Sequence, residues 1–288
     1  MQKVTVMGLG AMGSAIATCL HKHDYDLSVW NRSPGKAEEF ESLGVKVAAT
    51  PEQALDHAEF VIVCIKGHKE TNELLKPLAN KLTNKTICDL STGDTEDAEQ
   101  LVSLLNQHGS NYLIGMINAY PSGIGAPDTA ILTIAQPETW ATYGDVIKTL
   151  GGASDQIGSE PAALAAMFAG LFSVRQGFMF GMIYGATVCR AAGVPLSAFA
   201  DQIPASIKLV HDYYDLFVKT VPTADYDEPE ASLRVYARAQ ADALNTFKKV
   251  GAPSEFIELI HKQTRSALDA GFGDKQLTYL VEEIRQGG

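Results

Sequence analysis

The chain has 288 residues, is 46% hydrophobic and 20% charged, and carries a formal net charge of −11. That length and apolar content suffice for one or two packed cores and exclude a disordered chain. An acidic chain repels phosphate backbones, which excludes general nucleic-acid binding while leaving room for one local basic spot that holds a small phosphate.

In chain order, residues 4–7 read as a buried strand, the glycine-rich stretch 8–13 as a turn, and residues 15–22 as a helix. A strand over 27–30, a helix over 34–43 stopped by Gly44, and a strand over 45–48 follow. Residues 51–58 form a short helix, with Thr50 as its cap and Pro51 in its first turn. The unbroken apolar run 60–65 predicts a strand covered on both faces. Helices over 71–82 and 95–107 flank a strand over 86–90, and strands over 112–118 and 130–135 extend the sheet. Strand alternating with helix over short connections predicts a parallel sheet covered by helices on both faces.

Beyond Glu160 the strand signals stop. Residues 161–192 read as one long helix ended by Gly193 and Pro195, and shorter helices run on through Arg285. The fold class is therefore α/β: a Rossmann domain over residues 1–160, then a long interdomain helix and an all-α region over 161–288. The stretch 162–189 has the length and apolarity of a membrane span, with Arg175 as its one charge. It lacks a flanking basic cluster or aromatic belt, and glycines and alanines fill much of it. The expectation is a helix buried on nearly all sides inside a protein, with no membrane. The N-terminus has one lysine and no long apolar core of a signal peptide. Cys19, Cys64, Cys88 and Cys189 are spaced too widely for a metal knuckle and read as packing residues. No metal site and no disulfide framework are expected, which fits a cytoplasmic chain.

Gly8-Leu9-Gly10-Ala11-Met12-Gly13 matches G-x-G-x-x-G, and its place between the first strand and first helix gives the motif its meaning. Gly8 permits the tight turn, Gly10 lets backbone approach a pyrophosphate, and Gly13 lets helix pack on strand. The helix start then offers its free N–H groups to the phosphates. At the end of the second strand, where NAD binding usually wants a carboxylate, the chain has Asn31-Arg32-Ser33, with Lys36 one turn on. The Arg32 guanidinium suits a 2′-phosphate, and Asn31 and Ser33 can add hydrogen bonds, so NADPH is the expected cofactor. Cys64 and Ile65 after the fourth strand, and Ser91 and Thr92 after the fifth, are placed near the nicotinamide end, because ligands lie outside the carboxyl ends of such sheets. Thr95 reads as a helix cap.

Four stretches then resemble the imine reductases, including the reductive aminases, within the wider 3-hydroxyisobutyrate (β-hydroxyacid) dehydrogenase group. They are GLGAMGSAIATCL with WNRSPGKA, DLSTGDTEDAEQL, GMINAYPSGIGAPDTAIL, and ALDAGFGDKQLTYLVEEIR. The resemblance implies reduction of imines or iminium ions, preformed or made from a carbonyl compound and an amine. It also implies a homodimer with interwoven C-terminal helices, and an active site between one nucleotide domain and the partner's helices. Gly177, Gly181 and Gly185 share one face of the long helix, where another backbone could approach.

The resemblance also locates a departure. Hydroxyacid dehydrogenases of the group place a catalytic Lys early in the long helix, and imine reductases usually place Asp or Tyr. Here that position falls on Ala169, or on Phe168 if the register shifts by one, and neither donates a proton. An iminium ion already carries its proton, so orientation matters more than acid catalysis for that substrate. Tyr120 and Tyr214 remain as candidate proton donors. Phe168, Phe172, Met179, Asp212, Tyr213 and Gln240 are candidates for the substrate pocket. Arg175, as a charge in an apolar helix, is either functional or paired, and His211 beside Asp212 is more often structural. Two other readings stay open: a β-hydroxyacid or carbonyl dehydrogenase of the same group, and a catalytically weak NADPH-binding protein.

Overall fold

A computed structural model describes residues 2–286. The chain gathers into two compact units, one reaching to Phe172 and the other starting at Ser173. In the first, β1 (Lys3–Met7) leads through α1 (Ala11–Lys22) to β2 (Asp26–Trp30), then through α2 (Glu38–Ser42) to β3 (Lys46–Val47). The chain returns through α3 (Pro51–His57) to β4 (Phe60–Val63), and α4 (His68–Leu75) leads to β5 (Thr86–Asp89). After α5 (Thr95–Gln107) come β6 (Asn111–Ile117), β7 (Ile131–Ala135), α6 (Pro137–Leu150) and β8 (Asp155–Gly158).

The eight strands form one sheet in the order β3-β2-β1-β4-β5-β6-β7-β8. All neighbours are parallel except β6 and β7, which run antiparallel. The chain winds outward from β1 to β3 and then reverses to β4, so a crevice opens beyond the carboxyl ends of β1 and β4. Period-two alternation splits the strand side chains between two cores. Val4, Val6, Phe60 and Ile62 pack with Ile16 and Leu20 of α1 and Ile147 of α6. Met7, Val61 and Val63 pack with Leu55 of α3, Leu75 of α4 and Leu101 of α5. Every residue of β4 is buried, as the unbroken apolar run requires.

Several boundaries differ from the sequence reading for identifiable reasons. Helix α1 starts at Ala11 rather than four residues later, because the glycine turn hands directly into it. The expected helix over 34–43 breaks at Ala37 into a 3₁₀ turn (Pro34–Lys36) and α2, since Pro34 and Gly35 are poor helix formers. The helix expected over 71–82 starts earlier, at His68, and turns 3₁₀ at Lys76 because Pro77 lacks the N–H an α-helix needs. Asp94, not Thr95, caps α5, with its carboxylate accepting from the Asp97 N–H. Helix α6 and strand β8 are additions. Phe60 stacks on Tyr143 of α6, ring centroids 4.4 Å apart.

Helix α7 (Pro161–Ala191) begins in the first unit and ends in the second, where α8 (Leu196–Thr220), α9 (Leu233–Lys249), α10 (Glu255–Ala267) and α11 (Leu280–Gln286) follow. Gly193 closes α7 with φ 76°. The helix is long and apolar enough to cross a membrane by length and composition. Only Pro161 and Leu164 of it are buried, which overturns the expectation of a helix enclosed on nearly all sides. Val174, Phe178, Phe180 and Ile183, spread around the helix, are exposed, because no other described residues cover them. The glycine stripe likewise meets rings rather than a backbone. A Cβ on Gly185 would lie 2.7 Å from Phe199, one on Gly181 would lie 3.8 Å from Phe256, and Gly177 faces open space.

The Thr50 hydroxyl accepts the Gln53 N–H at the start of α3, 3.3 Å away. Thr50→Ala is expected to destabilise the chain by about 1 kcal/mol, read as a lower urea midpoint at unchanged slope.

Candidate functional site

The turn from β1 into α1 is shaped by its neighbours. Gly8 sits at φ 101°, and a Cβ there would overlap the carbonyl oxygen of Cys64 at the end of β4. A Cβ on Gly13 would overlap the carbonyl oxygen of Gly8. Nothing lies within 4 Å of the corresponding point at Gly10, which leaves its backbone open to a ligand. A cavity of about 760 Å³ covers this turn, lined by Gly8, Gly10, Ala11, Met12 and Gly13. The first turn of α1 contains no acidic residue, so its N–H groups and partial positive charge face the cavity unopposed.

Trp30, Asn31 and Arg32 close the cavity's far end. Asn31 is committed inside the chain: its Oδ1 accepts the Leu9 N–H at 2.9 Å, and its Nδ2 donates to the Ser33 carbonyl at 2.9 Å. The amide thus ties the glycine turn to the loop after β2, while Arg32 is exposed. Leu9 points into the core, whereas Ser33 and Lys36 are exposed on the loop outside the cavity lining. Lys66 lines the same cavity beside Glu70, its ion-pair partner at 3.2 Å, and Glu73.

A second cavity, about 220 Å³, lies beyond the carboxyl ends of β4, β5 and β6 and shares Met12, Cys64 and Ile65 with the first. Much of its wall is apolar, with Leu90, Met116, Ile117, Leu164 and Phe168 among its residues. Ser91 and Thr92 also line it. The Ser91 hydroxyl accepts the Ile65 N–H at 3.1 Å, which stitches the loops after β4 and β5 together. Burial pushes the Cys64 thiol up to about 12, with the Asp89 carboxylate adding to the rise, so the thiol stays neutral.

Sequence reasoning did not single out one polar group here. His68, at the start of α4, lines the smaller cavity and is almost fully buried. Its Nδ1 lies 2.9 Å from Asp89 Oδ2, and Asp89 Oδ1 accepts the Ser91 N–H at 3.0 Å. Nothing in the spacing of residues 68 and 89 announces the pair; the adjacency of β4 and β5 creates it.

The remaining candidates fall in different places. Phe168 lines the smaller cavity and stacks on Phe172 at 5.5 Å, whereas Ala169, one position on, is exposed and not in the lining. Tyr120 is 78% exposed on the loop after β6 and lines neither cavity. Arg175, Met179, Asp212, Tyr213, Tyr214 and Gln240 belong to the second unit. Arg175 is exposed there, so the premise of a charge buried within the chain does not hold. Tyr214 is also exposed, and His211 faces Asp215 at 3.7 Å on the same helix. Burial pushes the Tyr213 phenol up to about 12, with Tyr236 adding to it. Gln240 Oε1 is buried with no hydrogen-bond partner among the described residues. Among the described residues no cluster of His, Cys, Asp or Glu could hold a metal ion.

Residues 3–158, over half of the chain, match the family model of the NAD binding domain of 6-phosphogluconate dehydrogenase. Residues 160–286 match the C-terminal domain of the NADPH-dependent reductive aminase-like family. The chain belongs to the imine reductase and reductive aminase family. An NADPH-dependent reductive aminase from Aspergillus oryzae is 23% identical to it, over 99% of this chain and 97% of that protein. The structure of an imine reductase from Pseudomonas sp. superposes with a TM-score of 0.87 at 27% identity, covering 98% of this chain and 99% of that one. A reductive aminase from Aspergillus terreus, solved with NADPH and ethyl levulinate, gives 0.86 at 26% identity, with 99% of both chains covered. These relatives align along nearly the whole chain, so the fold as a whole is shared with them.

Asn31→Ala removes the acceptor from the Leu9 N–H. A loss of about 1 to 2 kcal/mol in chemical denaturation is expected even without any ligand.

Proposed function

We propose that the chain is an NADPH-dependent oxidoreductase that reduces C=N bonds, converting an imine or iminium ion to an amine. The observation that carries this reading is a dinucleotide-sized cavity over the glycine turn, merging into a small, largely apolar cavity beyond the strand ends. The residues fit the cofactor: a Cβ would fill the cradle at Gly8 and Gly13, Gly10 is open, and Arg32 stands where a carboxylate would exclude a 2′-phosphate.

When bound, the reduced nicotinamide supplies a hydride. The chain's own residues do the rest. The N–H groups at the start of α1 and the glycine turn hold the pyrophosphate, and Arg32 offers its planar fork to the 2′-phosphate. Met12, Ile65, Leu90 and Phe168 keep water from the smaller cavity, where electrostatic interactions then gain strength. The substrates are a preformed imine, or a carbonyl compound and an amine. The reductive aminase from Aspergillus terreus has been solved with NADPH4, cyclohexanone and allyl amine. The hydroxyacid alternative lacks its lysine, because α7 contains none.

The quaternary reading is a homodimer. Helices α7 and α8 leave the large apolar side chains Phe178, Phe180, Ile183, Leu209, Val210 and Phe217 exposed, and apolar surface of this kind often marks a protein interface. A second copy with interwoven helices would cover it, and residues of α7, α8 and α9 such as Arg175, Met179, Asp212, Tyr213, Tyr214 and Gln240 would then serve a shared substrate pocket. The proposed compartment is the cytoplasm, supported by four free thiols.

Three measurements check this. NADPH oxidation should accelerate with a pyrroline and not with the matched ketone alone; turnover of neither, despite tight NADPH binding, would favour the catalytically weak reading. Arg32→Glu should lower the preference for NADPH over NADH by about 10- to 100-fold, the worth of a charge-assisted hydrogen bond. Light scattering without detergent should give twice the 30.9 kDa chain mass; a monodisperse monomer, or a need for detergent, would count against the dimer.

A further inference from the structure

Reduction of a neutral imine needs a proton on nitrogen as well as a hydride on carbon. The early part of α7 offers none, since Ala169 and Phe168 are both non-protic. The smaller cavity does contain a group able to supply it. His68 is 4% exposed and sits in the cavity wall beside Thr92 and Gly93. Its Nδ1 is held 2.9 Å from Asp89, which is fully buried and fixed in turn by the Ser91 N–H. Gly93 packs against the ring edge so closely that a Cβ there would lie 2.5 Å from Cδ2. No hydrogen bond within the described chain engages Nε2, and Nε2 is not one of the buried polar atoms left without a partner. It is the nitrogen left for a ligand.

We infer that His68, oriented by Asp89, is the proton donor to the substrate nitrogen in the smaller cavity. The inference rests on the C=N reading above. Asp89 is a positioning residue: its carboxylate keeps the proton on Nδ1, fixes the plane of the ring, and stabilises the imidazolium. In the step, the Nε2–H bond breaks and its electron pair stays on the ring. An N–H bond forms on the imine nitrogen, and the hydride held by the reduced dinucleotide adds to the imine carbon. The C=N bond is reduced, the dinucleotide is oxidised, and a proton from water restores His68. The other ionisable groups in the lining are Asp94, whose carboxylate caps α5, and Cys64, which burial keeps as a neutral thiol. Neither is hydrogen-bonded to the ring.

The test compares two substrates above the pKa of the free imine: a neutral cyclic imine, and the same ring N-methylated to a permanent iminium ion, which needs no proton. For His68→Gln, kcat on the neutral imine should fall about 100-fold or more, the worth of a positioned general acid, while the iminium rate stays within about three-fold. Asp89→Asn should show the same selectivity more weakly. An equal loss on both substrates would assign His68 a structural role and overturn the inference, and so would no loss on either. If the wild-type chain reduces neither substrate, the C=N reading itself fails. Nitrogen NMR of the cofactor-free protein gives a readout independent of turnover. The neutral His68 ring should carry its proton on Nδ1, and Asp89→Asn should abolish that fixed tautomer. A neutral ring protonated on Nε2 would also overturn the inference.

Discussion

The carbonyl oxygen of Cys64 presses on the turn between β1 and α1 so tightly that Gly8 admits no side chain. The contact follows from the winding order. Because β4 lies beside β1, its exit loop must pass over the glycine turn, and the chain reverses direction at that point. One steric constraint thus sets the floor of the dinucleotide cavity and the position of Ile65, which walls both cavities. It also starts α4 at a point where its first side chain, His68, reaches the exit of β5.

Polar groups around this floor are used twice. Asn31 stands beside Arg32 in the loop after β2, and its amide ties that loop to the glycine turn. Ser91 belongs by position to the nicotinamide end, yet its hydroxyl binds the β4 loop and its N–H binds Asp89. Such groups shape the site by fixing backbone, while their neighbours Arg32 and Thr92 line the cavities. Polar groups bonded within the chain stiffen the frame, which is what delivery of a hydride to a fixed point requires.

Most of the first unit was legible because each signal was local. The βαβ alternation, the glycine spacing and the β4 apolar run all describe neighbours in sequence. The missed α6 and β8 lack such signals: β8 is short and polar, and α6 contains Gly144. The His68–Asp89 pair was illegible because its members meet through strand order, 21 residues apart in the chain. Helix α7 misled for a different reason. Apolarity on all sides reports that a surface will be covered and does not say whether the cover comes from the same chain. Phe168 and Ala169 show the limit of register: residues 161, 164, 165 and 168 face the cavity at helical spacing, and a shift of one residue leaves it.

The uneven burial of the two units has a consequence for how the molecule comes into being. The nucleotide-binding unit fills two apolar cores from its own strands and helices, so it can condense while the rest of the chain is still being synthesised. The chain from Ser173 onward buries few large apolar side chains of its own, Tyr226 and Leu233 among them. If a second copy covers its helices, as proposed above, their stability would rise with protein concentration, and dilution would loosen the helical half before the sheet. Nascent chains would then pass through a stage with a finished nucleotide-binding half and an uncovered, greasy helical arm.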